Sequence, residues 1–153
     1  MKRVVLLLSV FAIAAFFAGQ VNAQELSDAD KVLIAVQEIC PITGEKLGSH
    51  GTPVKAKLGE QELFLCCKAC MEGDVDAKHW ATIHANFAKA QASCPVMDKP
   101  LPEKPKWVVV KGHVFYVCCP PCTDKISAEP DKYVAELEAL YKKSLEDRGV
   151  EIR

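Results

Sequence analysis

The chain has 153 residues, half of them hydrophobic and a quarter charged, with 19 Lys and Arg set against 20 Asp and Glu for a net charge of −1. That composition excludes a disordered or low-complexity spacer, and the lack of a basic excess argues against nucleic-acid binding. Eight cysteines, at positions 40, 66, 67, 70, 94, 118, 119 and 122, are the feature that needs explaining.

Lys2 and Arg3 precede an apolar run from Val4 to Ala18, broken only by Ser9, and Gly19-Gln20-Val21-Asn22-Ala23 follows before Gln24. This is the layout of a secretory signal peptide over 1–23. The run is short for a bilayer span, so cleavage is expected rather than a retained anchor. No Cys lies near the cleavage site, which argues against a lipid anchor. Removing 23 residues and two cations leaves 130 residues at a net charge of −3. The mature chain is expected to be exported, periplasmic or extracellular, with no stable membrane insertion. Its length suits one domain or two very small ones. A unit of half that size would need a metal or disulfides to hold it.

Residues 24–39 read as a helical segment. Ser27 and Asp30 have capping-box spacing, and Val32, Leu33, Val36 and Ile39 form an apolar stripe. Next comes a Cys40-Pro41 turn. Val54 to Leu58 and Glu62 to Cys66 then read as a hairpin around Gly59-Glu60-Gln61. Cys66-Cys67-Lys68-Ala69-Cys70 follows, and helical spacing resumes at Trp80, Ile83, His84, Phe87 and Gln91. The order then repeats. Cys94-Pro95 is a turn, Trp107 to Lys111 and His113 to Cys118 are strands about Gly112, and Cys118-Cys119-Pro120-Pro121-Cys122 leads into a helix. Two prolines suit a helix's first turn, where a missing N–H costs little. Tyr133, Leu137, Leu140, Tyr141 and Leu145 continue at helical spacing.

The repeat is the organising fact. Both Cys-Pro-aliphatic turns reach a Leu seven residues on, Leu47 and Leu101. Both apolar tripeptides, Leu63-Phe64-Leu65 and Phe115-Tyr116-Val117, run into Cys-Cys-x-x-Cys. The eight cysteines divide four and four between residues 40–93 and 94–153. An α+β fold of two small tandem units is expected.

A thiophilic ion needs three or four convergent thiolates or imidazoles. Cysteines three or four apart at a strand-to-helix corner put two sulfurs on one side of a helical turn. The exposed N–H groups there are expected to lower the thiol pKa. A third Cys on the Cys-Pro turn can close the site. Adjacent side chains on a strand point to opposite faces, so Cys66 and Cys67 should not both reach one ion. An early helix start would make Cys67 and Cys70 the pair; otherwise it is Cys66. The same choice falls between Cys118 and Cys119.

Cys40-Pro41-Ile42-Thr43-Gly44 with Phe64-Leu65-Cys66-Cys67-Lys68-Ala69-Cys70 resembles the TRASH and YHS families of small heavy-metal-binding domains. So does Cys94-Pro95-Val96-Met97-Asp98 with Val114-Phe115-Tyr116-Val117-Cys118-Cys119-Pro120-Pro121-Cys122. The second unit also carries Asp124-Lys125-Ile126 and Glu129-Pro130-Asp131-Lys132-Tyr133. Between Gly73 and His79 the first unit lacks that Pro-x-Lys-Tyr ending. The resemblance implies treble-clef-like units, each a turn, a hairpin and a helix around one metal. It places Cys40, Cys66 and Cys70 in one site and Cys94, Cys118 and Cys122 in the other. Cys67 and Cys119 fall where such domains often carry Ser, as accessory thiols.

Two rivals compete. Eight cysteines in a secreted chain could form four disulfides and make a stapled structural or interaction domain. Cys67-Lys68-Ala69-Cys70 and Cys119-Pro120-Pro121-Cys122 are also placed as in thiol–disulfide oxidoreductases, although units of this size are small for a thioredoxin-like fold. His50, His79, His84 and His113 could each add a ligand. They do not repeat between the units, so surface or packing roles are expected, with His79 and His84 nearest the first cluster. No Ser/His/Asp set, paired carboxylates or phosphate loop suggests an enzyme. The expected function is an exported metal-binding protein for storage, delivery or resistance. It would hold Zn(II) or Cu(I), two ions per chain, with another metal-handling protein as a candidate partner.

Overall fold

The computed structural model describes residues 26–152; the expected signal segment lies outside them. In chain order the elements are α1 (Asp28–Gln37), β1 (Val54–Leu58), β2 (Gln61–Leu65), a short 3₁₀ helix (Lys68–Glu72), α2 (Ala77–Gln91), β3 (Lys106–Val110), β4 (His113–Val117), α3 (Pro121–Ala128) and α4 (Pro130–Asp147). The fold is α+β, with two separate two-stranded antiparallel sheets, β1-β2 and β3-β4. No helix among the described residues is long and apolar enough to cross a membrane.

The local chemistry explains each boundary. Ser27 Oγ accepts the Asp30 N–H at 3.1 Å while Asp30 accepts the Ser27 N–H at 3.2 Å, a complete capping box for α1. Asp76 starts α2 by accepting the N–H groups of Lys78 and His79 at 2.8 and 3.1 Å. Both hairpins close with two-residue loops. Lys111 and Gly112 have φ of 50° and 82°, the pair of positive values that a type I′ turn requires. In the first hairpin Leu58 pairs with Gln61, so the loop is one residue shorter than expected.

The two units differ after their cysteine clusters. Pro120 and Pro121 begin α3, but the first unit forms only a 3₁₀ helix that ends at an extended Gly73. The chain presses there against the first Cys-Pro turn: a Cβ on Gly73 would lie 2.6 Å from Ile42 Cγ2. The longer helix belongs to α2, one loop later.

Helices α1, α2 and α4 pack on one another, β2 touches α1 and β4, and β4 touches α2. The α4 residues Tyr133, Leu137, Tyr141 and Leu145 are buried, and Tyr141 stacks on Phe87 with ring centroids 6.0 Å apart. Leu140, expected on the same stripe, is only half-buried. At the hairpin tips the Glu62 N–H donates to the Gly112 carbonyl at 2.8 Å. The buried apolar residues of both units form one continuous cluster. The expectation that each half must be held separately therefore gives way, because burial is shared across the repeat.

Candidate metal centre

Each candidate site begins at the end of a helix. α1 and α2 stop at Glu38 and Ala92, non-glycine residues with φ of 68° and 56°. The next N–H folds back at once, Ile39 to the Gln37 carbonyl and Ser93 to that of Gln91. These are tight γ-turns, a sparsely populated conformation. The Cys-Pro loop then closes on itself: the Cys40 N–H donates to the Glu45 carbonyl at 2.8 Å, and Gly44 N–H to Cys40 at 2.9 Å. The second copy matches bond for bond, Cys94 to Lys99 and Asp98 to Cys94, both at 2.8 Å. Gly44 and Asp98 both take positive φ at that step.

The helix before each turn belongs to the repeat as well, which was not read from the sequence. Gln37, fully buried at the end of α1, accepts the Phe64 N–H at 2.8 Å and donates to the Phe64 carbonyl at 2.6 Å. Gln91 makes the same pair with Tyr116, at 2.9 and 2.6 Å. Each amide supplies the hydrogen bonds that a third strand would give the outer edge of β2 or β4. The available signal was Gln three residues before each Cys-Pro, 54 residues apart.

Together these contacts bring the Cys-Pro turn up to the corner where the second strand ends. Cys40, Cys66 and Cys70 form one group of thiols and Cys94, Cys118 and Cys122 another, the sulfurs of each group lying within 4.8 Å of one another. All eight cysteines are free thiols. Cys66 and Cys70 sulfurs are 3.4 Å apart. Thiolates about 2.3 Å from a tetrahedral ion are about 3.8 Å from each other, so these groups suit one ion each. Cys67 lies in extended conformation beside its buried neighbour; its sulfur is partly exposed and 3.7 Å from that of Cys70. Cys119 stands 3.0 Å from Cys122 and 3.8 Å from Cys118. A fourth sulfur thus flanks each triad.

The electrostatics divide the thiols in a way that helix position alone did not predict. Burial pushes the Cys40 thiol up, but the N–H groups of Thr43, Cys66 and Ile42 and the Thr43 hydroxyl outweigh it and hold the group at about 7. Cys94 is lowered likewise: burial opposes, and the N–H groups of Cys118, Val96 and Met97 prevail. Cys70 was expected to be lowered by its helical turn. Burial, then the neighbouring Cys66 and Cys67 thiols, push it up to about 12 instead. Cys122 is raised by burial and by Cys119. The donors of that turn serve the residue before it: Cys67 is lowered by Cys70 and Cys119 by Cys122. Several thiolates cannot ionise side by side without a cation to neutralise them. A bound metal would supply that charge.

No histidine belongs to either group of thiols. His50 pairs with Glu45 at 2.8 Å. His79 packs on the first turn, where a Cβ on Gly44 would meet its Nε2 at 2.4 Å. His84 lies between Trp80 and Trp107, at centroid distances of 4.8 and 5.4 Å. The Tyr116 hydroxyl donates to the His84 carbonyl at 2.9 Å, so its oxygen accepts from Nδ1 at 2.7 Å. That pairing fixes the imidazole as a packing group.

Compared with known protein families, with curated proteins and with solved structures, the chain matches none.

Proposed function

We propose that this protein is exported and binds thiophilic metal ions, Zn(II) or Cu(I), one on Cys40, Cys66 and Cys70 (site 1) and one on Cys94, Cys118 and Cys122 (site 2), for storage, delivery or resistance. The observation that carries this is the convergence of three thiols, twice, on the same turn-and-corner scaffold. Soft thiolate ligands suit both ions. The resemblance of the Cys-Pro and Cys-Cys-x-x-Cys segments to TRASH and YHS domains supports the same reading, as does the signal-like segment before residue 24.

The 3.0 Å approach of Cys119 to Cys122 favours a second reading, a disulfide at that pair. One measurement separates the two. Protein taken anaerobically from its native compartment should carry two metal ions per chain, with few thiols reacting until a chelator is added. Oxidised sulfurs at Cys119 and Cys122, with no ion on site 2, would establish the disulfide reading instead.

A further inference from the structure

The two sites share a scaffold but not an environment. At site 1 the chain that follows the cysteines folds back over the Cys-Pro turn. The Asp76 N–H donates to the Pro41 carbonyl at 3.0 Å, and the His79 ring covers Gly44 so closely that no side chain would fit there. Pro41 and Leu47 are buried, and Cys66 is 2% exposed. The Thr43 hydroxyl lies 3.6 Å from the Cys66 sulfur.

Site 2 lacks each of these covers. Pro95 and Leu101, the register partners of Pro41 and Leu47, are half-buried. Asp98 stands exposed where Gly44 lies under a ring. Pro95 and Asp98 instead border an open cavity of about 390 Å³ against Leu140 and Lys143 of α4. Cys118 is partly exposed, and Met97, which replaces Thr43 in register, is 44% exposed. Exposed thioethers do not distinguish the sites, because Met71 stands exposed beside Cys70. Access does. Cys119, partly exposed and touching two sulfurs of its triad, is placed to take over a coordination position as another thiolate arrives or leaves.

We propose that the sites are functionally unequal: site 1 retains its ion, and site 2 exchanges it by thiolate-for-thiolate substitution through Cys119. In the exchange step an incoming thiolate forms a metal–sulfur bond as one protein sulfur leaves and takes up a proton. No electron is transferred. This rests on the metal-binding reading above.

The test uses the mature chain loaded anaerobically with Zn(II) and mixed with an excess of a chromophoric chelator. Two phases of equal amplitude are expected. Alkylation quenched after the first phase should label Cys94, Cys118 and Cys122 while Cys40, Cys66 and Cys70 stay protected, and this readout needs no variant. Cys119→Ser should slow the fast phase, because the thiolate that takes over a coordination position during exchange is gone, and leave the slow phase unchanged. Release of both ions in one phase, or labelling of the site 1 thiols first, would overturn the inequality alone. Failure to take up Zn(II) at all would overturn the metal-binding reading with it.

Discussion

The Gln91 amide accepts the Tyr116 N–H and donates to the Tyr116 carbonyl, as that of Gln37 does with Phe64. These two amides couple the helices to the hairpins that carry the cysteines. Replacing Gln37 or Gln91 by Leu would leave a buried N–H and C=O unpaired. Each orphaned group costs about 1–3 kcal/mol, so each variant should lose about 2–6 kcal/mol in urea unfolding of the metal-free, reduced protein. A loss below about 0.5 kcal/mol would show that the strand edge is satisfied in another way.

The clamp also shows where the sequence stops being readable. Cysteine spacing, the two hairpins and the α4 stripe all have periodic or compositional signatures, and the fold class follows from them. A single buried Gln has none. Its role depends on a strand 25 to 27 residues away, so α1 reads as a leader to the first unit although it occupies the place that α2 holds for the second. The packing of His79 on Gly44 is equally invisible, since it follows from where Gly73 ends the 3₁₀ helix. The upward shift of the Cys70 and Cys122 thiols is hidden from the sequence for a related reason. A helical turn lowers a thiol only if burial and neighbouring sulfurs do not outweigh it.

The shared core changes what metal removal should do. Val32, Phe64, Phe87, Phe115, Leu137 and Leu145 come from both halves and are buried in one cluster, so a chelator should loosen the Cys-Pro turns and corners without melting the helices. The expected result is a lower thermal midpoint with most of the far-ultraviolet helical signal retained before the transition. Complete loss of that signal at room temperature would mean that the metals, not the core, hold the fold.

Two histidines set a pH dependence. Burial lowers the pKa of His84. It also lowers that of His113, where it outweighs the nearby Glu138 and Glu62 carboxylates. In both, the unfolded chain binds the proton more readily. Their contribution to stability is full above the ordinary value of about 6.5 and is lost as pH falls through the depressed folded values. Unfolding of the reduced, metal-free protein at pH 7.5 and 5.5 should therefore show lower stability in acid. Cys40, held near 7, acts in the same direction, so the comparison that isolates the imidazole is His113→Gln, which should flatten the slope. An unchanged slope in that variant would exclude the assignment.

Gly44 tests whether α2 locks site 1. It has φ of +72°, and a Cβ there would lie 2.4 Å from His79 Nε2. Gly44→Ala should combine backbone strain of about 1–3 kcal/mol with displacement of the ring, and site 1 should lose metal to a chelator faster. Gly59→Ala carries a similar φ of +62° with nothing within 4 Å of the added carbon, so it should cost strain alone and spare the metal. Adding His79→Ala to Gly44→Ala should recover stability but not slow release, because the cover is then gone. Slow release in the double variant would show that the imidazole has no part in retention.

The cysteines should separate by role in single Ser variants assayed for metal content. Cys40 and Cys94 are fully buried on their turns, where backbone N–H groups are directed at the sulfur; losing either should empty one site. Cys70 and Cys122 should behave alike, being the buried sulfurs that the other thiols of each group approach. Cys66→Ser should empty site 1, but Cys67→Ser should keep two ions, since its sulfur lies on the outer side of the corner at 3.7 Å from Cys70. Cys119→Ser should also keep two ions at equilibrium while exchanging one of them more slowly. If Cys67→Ser loses a full equivalent and Cys66→Ser does not, the helix begins one residue earlier in the metal-bound protein and the ligand pair is Cys67 with Cys70. If both lose one, site 1 is a four-sulfur site, and the accessory thiols of both units belong among the ligands.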